Sequence, residues 1–242
     1  MYLKKLKSIL NYIIGIIMPN NCLICKKIIA NGYFCQEHFK EIDFISEPSC
    51  TICSYPFEFE IEEDEICAKC LSKKPQYDEL TAIFKYNDFS KKIIFDFKYN
   101  DKLILADFFA KLIHNSIKDY SDDINFISFV PLHKKRLRSR KYNQSALIAK
   151  KLAKISKTNI VFDLIIRKKN TKPQFLLSKS GRKENLKGAF IFNKKYQDLI
   201  KNKNILIIDD VFTTGATIES CSKILKKNKA KKVYIAVLAR RV

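Results

Sequence analysis

From residue 80 onward, short uninterrupted apolar runs alternate with stretches in which apolar residues recur every three or four positions. The first pattern suits strands buried on both faces, the second helices with one buried stripe. Residues 80–86, 124–132, 164–167, 204–208 and 232–238 read as strands. Residues 90–98, 102–118, 143–155 and 215–227 read as helices, and the polar stretch 169–180 reads as a loop. Apolar strands separated by helices predict an α/β fold, a parallel sheet with helices on both faces. Ligands of such sheets bind outside the carboxyl ends of the strands.

The pattern is different before residue 78. Residues 1–18 place Lys4, Lys5 and Lys7 ahead of an apolar run from Ile9 to Met18. No small-residue cleavage site follows, and the run is shorter than the roughly 20 residues that span a bilayer. Its spacing favours a helix packed on the next module over peripheral contact with a membrane surface. The expected organisation is an N-terminal helix at 1–20, a small module at 21–74 and an α/β domain at 78–242. With 242 residues, 47% of them hydrophobic, the chain can bury a core, which excludes collagen-like and wholly disordered classes.

Charge sharpens this picture. The formal net charge is +21, yet residues 41–65 hold nine acids and no Lys or Arg. Residues 133–187 carry 18 basic side chains against Asp163 and Glu184. Lysine accompanies abundant Asn and Ile, as AT-rich coding would produce, so the seven arginines say more about anionic partners. Five of them, Arg136, Arg138, Arg140, Arg167 and Arg182, lie in the basic segment. A cationic surface with Tyr142 and Phe175 interspersed suits single-stranded nucleic acid, although a solvated lysine-rich surface has the same charge.

The small module has its own chemistry. Cys22-x-x-Cys25, Cys35-x-x-His38, Cys50-x-x-Cys53 and Cys67-x-x-Cys70 supply eight potential ligands, enough for two tetrahedral Zn2+ sites. The simplest assignment is sequential, Cys22, Cys25, Cys35 and His38 on one ion and Cys50, Cys53, Cys67 and Cys70 on the other. An interleaved cross-brace satisfies the same spacing. With four protein ligands per ion no position is left for a catalytic water, so both sites would be structural. Cys221, in a helical pattern far downstream, reads as an ordinary buried thiol.

In the α/β region, Ile205-Leu-Ile-Ile-Asp-Asp-Val-Phe-Thr-Thr-Gly-Ala-Thr217 carries an apolar strand to two acids and a small-residue turn that opens a helix. Backbone amides at such a turn can approach a phosphate, hydroxyls add donors, and the helix terminus adds positive partial charge. Adjacent carboxylates beside it suit ribose hydroxyls, directly or through a hydrated divalent cation.

This segment resembles the phosphoribosyl pyrophosphate signature of the phosphoribosyltransferases. Together with the zinc-ribbon module, the chain is similar almost throughout to the competence-associated ComF family. Phe129-Val-Pro-Leu-His133, then Arg136 to Arg140-Lys-Tyr-Asn-Gln144, resembles that family's Val-Pro-Leu stretch and Arg-Gly-Phe-Asn-Gln element. Lys98-Tyr99, Arg167, Gln174, Arg182 and Asn185 match further family positions. Lys141 stands where the family usually has Gly, and His38 where it usually has Cys.

The resemblance implies a type I phosphoribosyltransferase-like sheet that binds phosphoribosyl pyrophosphate with Mg2+. Thr213, Thr214, Gly215, Ala216 and Thr217 would hold the 5-phosphate, and Asp209 and Asp210, the catalytic candidates, the ribose hydroxyls. Arg136, Arg140 and Arg182 would face pyrophosphate. The implied role is handling of incoming single-stranded DNA in the cytoplasm during natural transformation, beside other DNA-uptake proteins. Arg138, Lys141, Tyr142, Arg167, Lys168 and Lys169 are the candidate DNA contacts. No segment reads as a nucleobase-recognising hood, so phosphoribosyl transfer to an unidentified acceptor stands as the alternative.

Overall fold

The computed structural model describes residues 20–59, 65–100, 102–170 and 186–242. The expected N-terminal helix, and Gln174, Phe175, Arg182 and Asn185, lie outside the described residues. Two compact units divide the chain, Met1–Asp43 and Phe44–Val242. The first contains a tight turn bridged between Asn21 and Ile28 and the short helix α1 (Gln36–Lys40).

In the second unit, helix α2 (Ala68–Ser72) precedes β1 (Glu79–Lys85), α3 (Asp88–Tyr99) and α4 (Leu105–Ser116). Then follow β2 (Phe126–Phe129), α5 (Lys134–Arg140), α6 (Gln144–Ser156), β3 (Asn159–Ile160) and β4 (Ile165–Arg167). After the undescribed stretch come β5 (Phe190–Phe192), α7 (Gln197–Ile200), β6 (Asn204–Phe212), α8 (Ala216–Lys227) and β7 (Lys232–Arg240). The main sheet has the order β1-β7-β6-β2-β3, with every pairing parallel.

Alternation along β6 explains why helices cover both faces. Ile205 and Ile207 share a core with Ile218, Cys221 and Leu225 of α8. Leu206 and Ile208 point the other way and are equally buried, on the face where α6 supplies Ile148, Ala149 and Leu152. The apolar runs are therefore continuous because neither face meets water. Local signals start the helices: Asn87 and Ser90 form a capping box at α3, and the Asn143 side chain caps α6.

The structure departs from the expected elements in several places, three of them as follows. The strand expected at 164–167 is β4, which pairs antiparallel with β5 in a separate two-stranded sheet. Strand β6 continues past residue 208 to Phe212, because its partner β7 runs on to Arg240 and the ladder is kept. Residues 134–140, which lack an apolar stripe, form helix α5, capped by the His133 side chain accepting from the Lys135 amide at 3.3 Å. Among the described residues, no helix is long and apolar enough to cross a membrane.

Candidate functional site

The two ligand quartets are sequential, each gathered with its donor atoms within 4.8 Å of one another. In the first unit, Cys25 and Cys35 sulfurs are 3.8 Å apart, and His38 Nδ1 lies 3.0 Å from Cys35 and 3.6 Å from Cys22. In the second, Cys53 and Cys67 sulfurs are 3.6 Å apart and all four cysteines are buried. Zinc–sulfur bonds of about 2.3 Å in a tetrahedron set sulfur–sulfur edges near ~3.8 Å, so both sets fit zinc. Burial pushes the Cys53 thiol up to about 11 and raises that of Cys70, whereas at Cys50 burial is outweighed by backbone hydrogen bonds, which lower it.

The second quartet is built into the sheet's own unit. Leu80 donates its amide to the Ile52 carbonyl at 2.9 Å, and Ser54 Oγ donates to the Leu80 carbonyl at 2.6 Å. Ile45 donates to the Ile83 carbonyl at 3.0 Å, so residues 44–54 cover the otherwise open edge of β1. Arg240, at the end of β7, donates from Nη1 to the Cys53 carbonyl.

At the carboxyl end of β6, Asp209 and Asp210 stand where the parallel sheet opens. Asp209 Oδ1 accepts from the Asp210 amide at 2.9 Å and from Ser145 Oγ at 3.4 Å. Burial, reinforced by the Asp210 charge, pushes the Asp209 carboxyl up to about 7. Asp210 instead meets a cation: Lys98 Nζ, from the last turn of α3, is 2.5 Å from its Oδ2.

The turn after β6 leads into α8 through Gly215 at φ +82°. A Cβ there would lie 2.9 Å from Phe212 Cζ, so both conformation and space require glycine. The first amides of α8 have no intrahelical acceptor, and Thr214 Oγ1 is buried without a hydrogen-bond partner. A shallow pocket lined by Asp209, Thr213, Gly215, Ala216 and Thr217 opens beside these groups. The orphaned hydroxyl, the glycine approach and the helix terminus together fit a phosphate group.

Family models match in the same two places. A double zinc ribbon domain covers residues 13–71, and a phosphoribosyl transferase domain covers residues 143–242. Competence protein F of Haemophilus influenzae is 27% identical over 225 residues, 91% of this chain and 93% of that protein. The DNA utilization protein YhgH of Escherichia coli is 24% identical, over 92% of this chain and 98% of its own length. Competence protein ComFC of Bacillus subtilis is 32% identical over 66% of this chain and 63% of its own length.

The chain is similar over most of its length to proteins named for competence and DNA utilization. Its parallel sheet, covered by helices and accompanied by zinc-ribbon ligand sets, is the expected phosphoribosyltransferase type of fold. Lys141 takes φ +64° and ψ −33°, a conformation that suits glycine far better than lysine.

That strained turn joins α5 to α6 and docks the basic segment on the end of α3. Tyr142 donates its hydroxyl to the Phe97 carbonyl at 2.8 Å, and Gln144 donates to the Lys98 carbonyl at 3.2 Å. Arg140 donates to the Tyr99 hydroxyl at 2.6 Å with its guanidinium 4.9 Å from the Tyr99 ring centre. Arg136 is half-buried, and burial together with Arg140 lowers its pKa.

The remaining candidate residues are spread more widely. Arg138 and Lys141 are exposed, and Lys168 and Lys169 lie exposed beyond β4. Arg167 is only 8% exposed, with its guanidinium 5.2 Å from the Phe190 ring centre and facing the charges of Arg136 and Asp209. One feature escaped the sequence reading: Phe95 and Tyr99, one turn apart on α3, are 54% and 51% exposed with ring centres 4.7 Å apart. Their i, i+4 spacing on the polar side of α3 was the available signal.

Proposed function

We propose that this chain is a ComF-family competence protein that handles incoming single-stranded DNA in the cytoplasm. In this reading the end of its sheet binds phosphoribosyl pyrophosphate with Mg2+. The observation that carries the ligand assignment is the turn after β6, where a left-handed glycine and a buried, unpartnered threonine hydroxyl meet a helix N-terminus. Residues 213–217 take the 5-phosphate, and Asp209 and Asp210 take the ribose hydroxyls and the cation. Mg2+ supplies neutralisation of phosphate charge. Arg136 and Arg140 would face pyrophosphate, Arg140 with its guanidinium also donating to the Tyr99 hydroxyl. Calorimetry with Mg2+ and phosphoribosyl pyrophosphate, on wild type and Asp210→Asn, tests this assignment.

The DNA assignment is supported by three features: the names of the competence and DNA-utilization relatives, the basic surface of α5, and the exposed Phe95–Tyr99 pair beside it. Exposed rings next to arginine form a stacking platform for unpaired bases, and the cations neutralise the backbone. Binding of a single-stranded oligonucleotide weakens steeply as salt rises, and a constant indifferent to salt contradicts this role.

A second reading, phosphoribosyl transfer to a nucleobase or other small acceptor, is favoured by Asp209. A carboxyl titrating near neutrality is suited to accept a proton from an incoming nucleophile. Pyrophosphate release across a panel of nucleobases tests it, and tight ligand binding without release by any of them counts against it.

A further inference from the structure

Phe212 is the last residue of β6, 3% exposed, and its ring meets both the phosphate turn and the surroundings of the second metal centre. On one side, its Cζ fills the space a side chain at Gly215 would need. On the other, Lys69 Nζ lies 5.5 Å from the ring centre, and Lys69 sits between the ligands Cys67 and Cys70. Tyr77 meets the ring edge-on at 6.4 Å and packs in one core with all four cysteines.

Arg240 completes the link. Its guanidinium lies between Phe212 and Tyr55, 5.1 Å from each ring centre, and donates to the carbonyl of Cys53. Phe212 and Arg240 are also register partners in the sheet, and the Phe212 carbonyl accepts from the Arg241 amide at 2.9 Å. Phe212 and Arg240 thus link the backbone of a metal ligand to the glycine that shapes the turn.

We infer that Phe212 and Arg240 are positioning residues, through which metal occupancy at Cys50, Cys53, Cys67 and Cys70 and anion binding at residues 213–217 are thermodynamically coupled. The inference rests on the ligand reading given above. Residues 44–59 and 65–74 gather the four cysteines, so a bound metal adds cross-links that hold these segments in place. When those bonds loosen, the Cys53 carbonyl and Lys69 shift, Arg240 follows, and Phe212 no longer fixes Gly215. Coupling is reciprocal, so an anion on the turn must also hold the metal.

The experiment uses the zinc-loaded full chain and follows zinc release to a chromogenic chelator, with and without Mg2+ and phosphoribosyl pyrophosphate or inorganic phosphate. In wild type, ligand slows release of one of the two ions by roughly five- to tenfold. Arg240→Met and Phe212→Leu, with zinc content and circular dichroism checked, abolish that protection and weaken ligand binding by a similar factor. If both variants lose zinc or fold, the wild-type protection decides alone. Ligand binding that leaves both release rates unchanged overturns the coupling but not the ligand site. Absence of binding by either anion overturns both.

Discussion

Lys98 Nζ lies 2.5 Å from Asp210 Oδ2, both side chains largely shielded from solvent, at the carboxyl end of the central strand. The ion pair joins α3 to β6 and supplies a positive charge where the proposed ligand would bring its own cation. Removing one partner strands the other in a partly desolvated position. Lys98→Met therefore lowers the free energy of unfolding by about 1–3 kcal/mol. The double variant with Asp210→Asn loses less than the two single losses added together, by at least ~0.5 kcal/mol, in urea titrations.

Asp209 makes stability depend on pH in the opposite sense to most carboxylates. Its folded pKa is raised from 3.8 to about 7, so the folded state holds a proton that the unfolded state has released between those values. The stabilising contribution is complete below the unfolded value and is lost as pH rises through 7. Between pH 4 and 8 wild type loses on the order of 2–4 kcal/mol that Asp209→Asn retains, as read from chemical unfolding at each pH.

Gly215→Ala tests the turn. The substitution places a side chain at φ +82° and drives its Cβ to 2.9 Å from the Phe212 ring. Phe212 cannot move aside, since Tyr77, Lys69 and Arg240 enclose it. The expected cost is about 1–3 kcal/mol of stability, with loss of phosphate binding, measured by thermal unfolding and calorimetry.

Lys141→Gly has the reverse effect. Relief of the positive φ outweighs the extra freedom glycine brings to the unfolded chain, for a net stabilisation of about 1 kcal/mol and a higher melting temperature. The same change removes an exposed cation and lowers the salt slope of oligonucleotide binding by about one.

Phe95→Ala and Tyr99→Ala each weaken single-stranded oligonucleotide binding by about 1–3 kcal/mol while leaving its salt slope nearly unchanged. Fluorescence anisotropy across a salt series separates stacking from charge. Tyr99→Ala additionally frees Arg140 from its hydroxyl partner, so its effect exceeds that of Phe95→Ala.

Much of this architecture was legible because burial on both faces writes continuous apolar runs: 205–208 and 233–238 could hardly be anything but central strands. The metal quartets were legible from their two-residue gaps, although only the fold shows that they are used in sequence order. Helix α5 was hidden because Lys134-Lys-Arg-Leu-Arg-Ser-Arg140 has no apolar stripe and none of its residues is buried. The extension of β6 through Asp209 and Asp210 was hidden for a related reason: pairing with β7, not residue preference, holds it extended. Nor could any local pattern reveal that Arg240 reaches the Cys53 carbonyl, 187 positions away in the chain.

The most direct test is calorimetric titration of the zinc-loaded chain with phosphoribosyl pyrophosphate and Mg2+, beside an Asp210→Asn variant whose fold and zinc content are verified. Saturable binding of one ligand per chain, lost or weakened at least tenfold in the variant, is the expected result. No binding to wild type, or equal binding to both proteins, would contradict the assignment of this strand end as the ligand site.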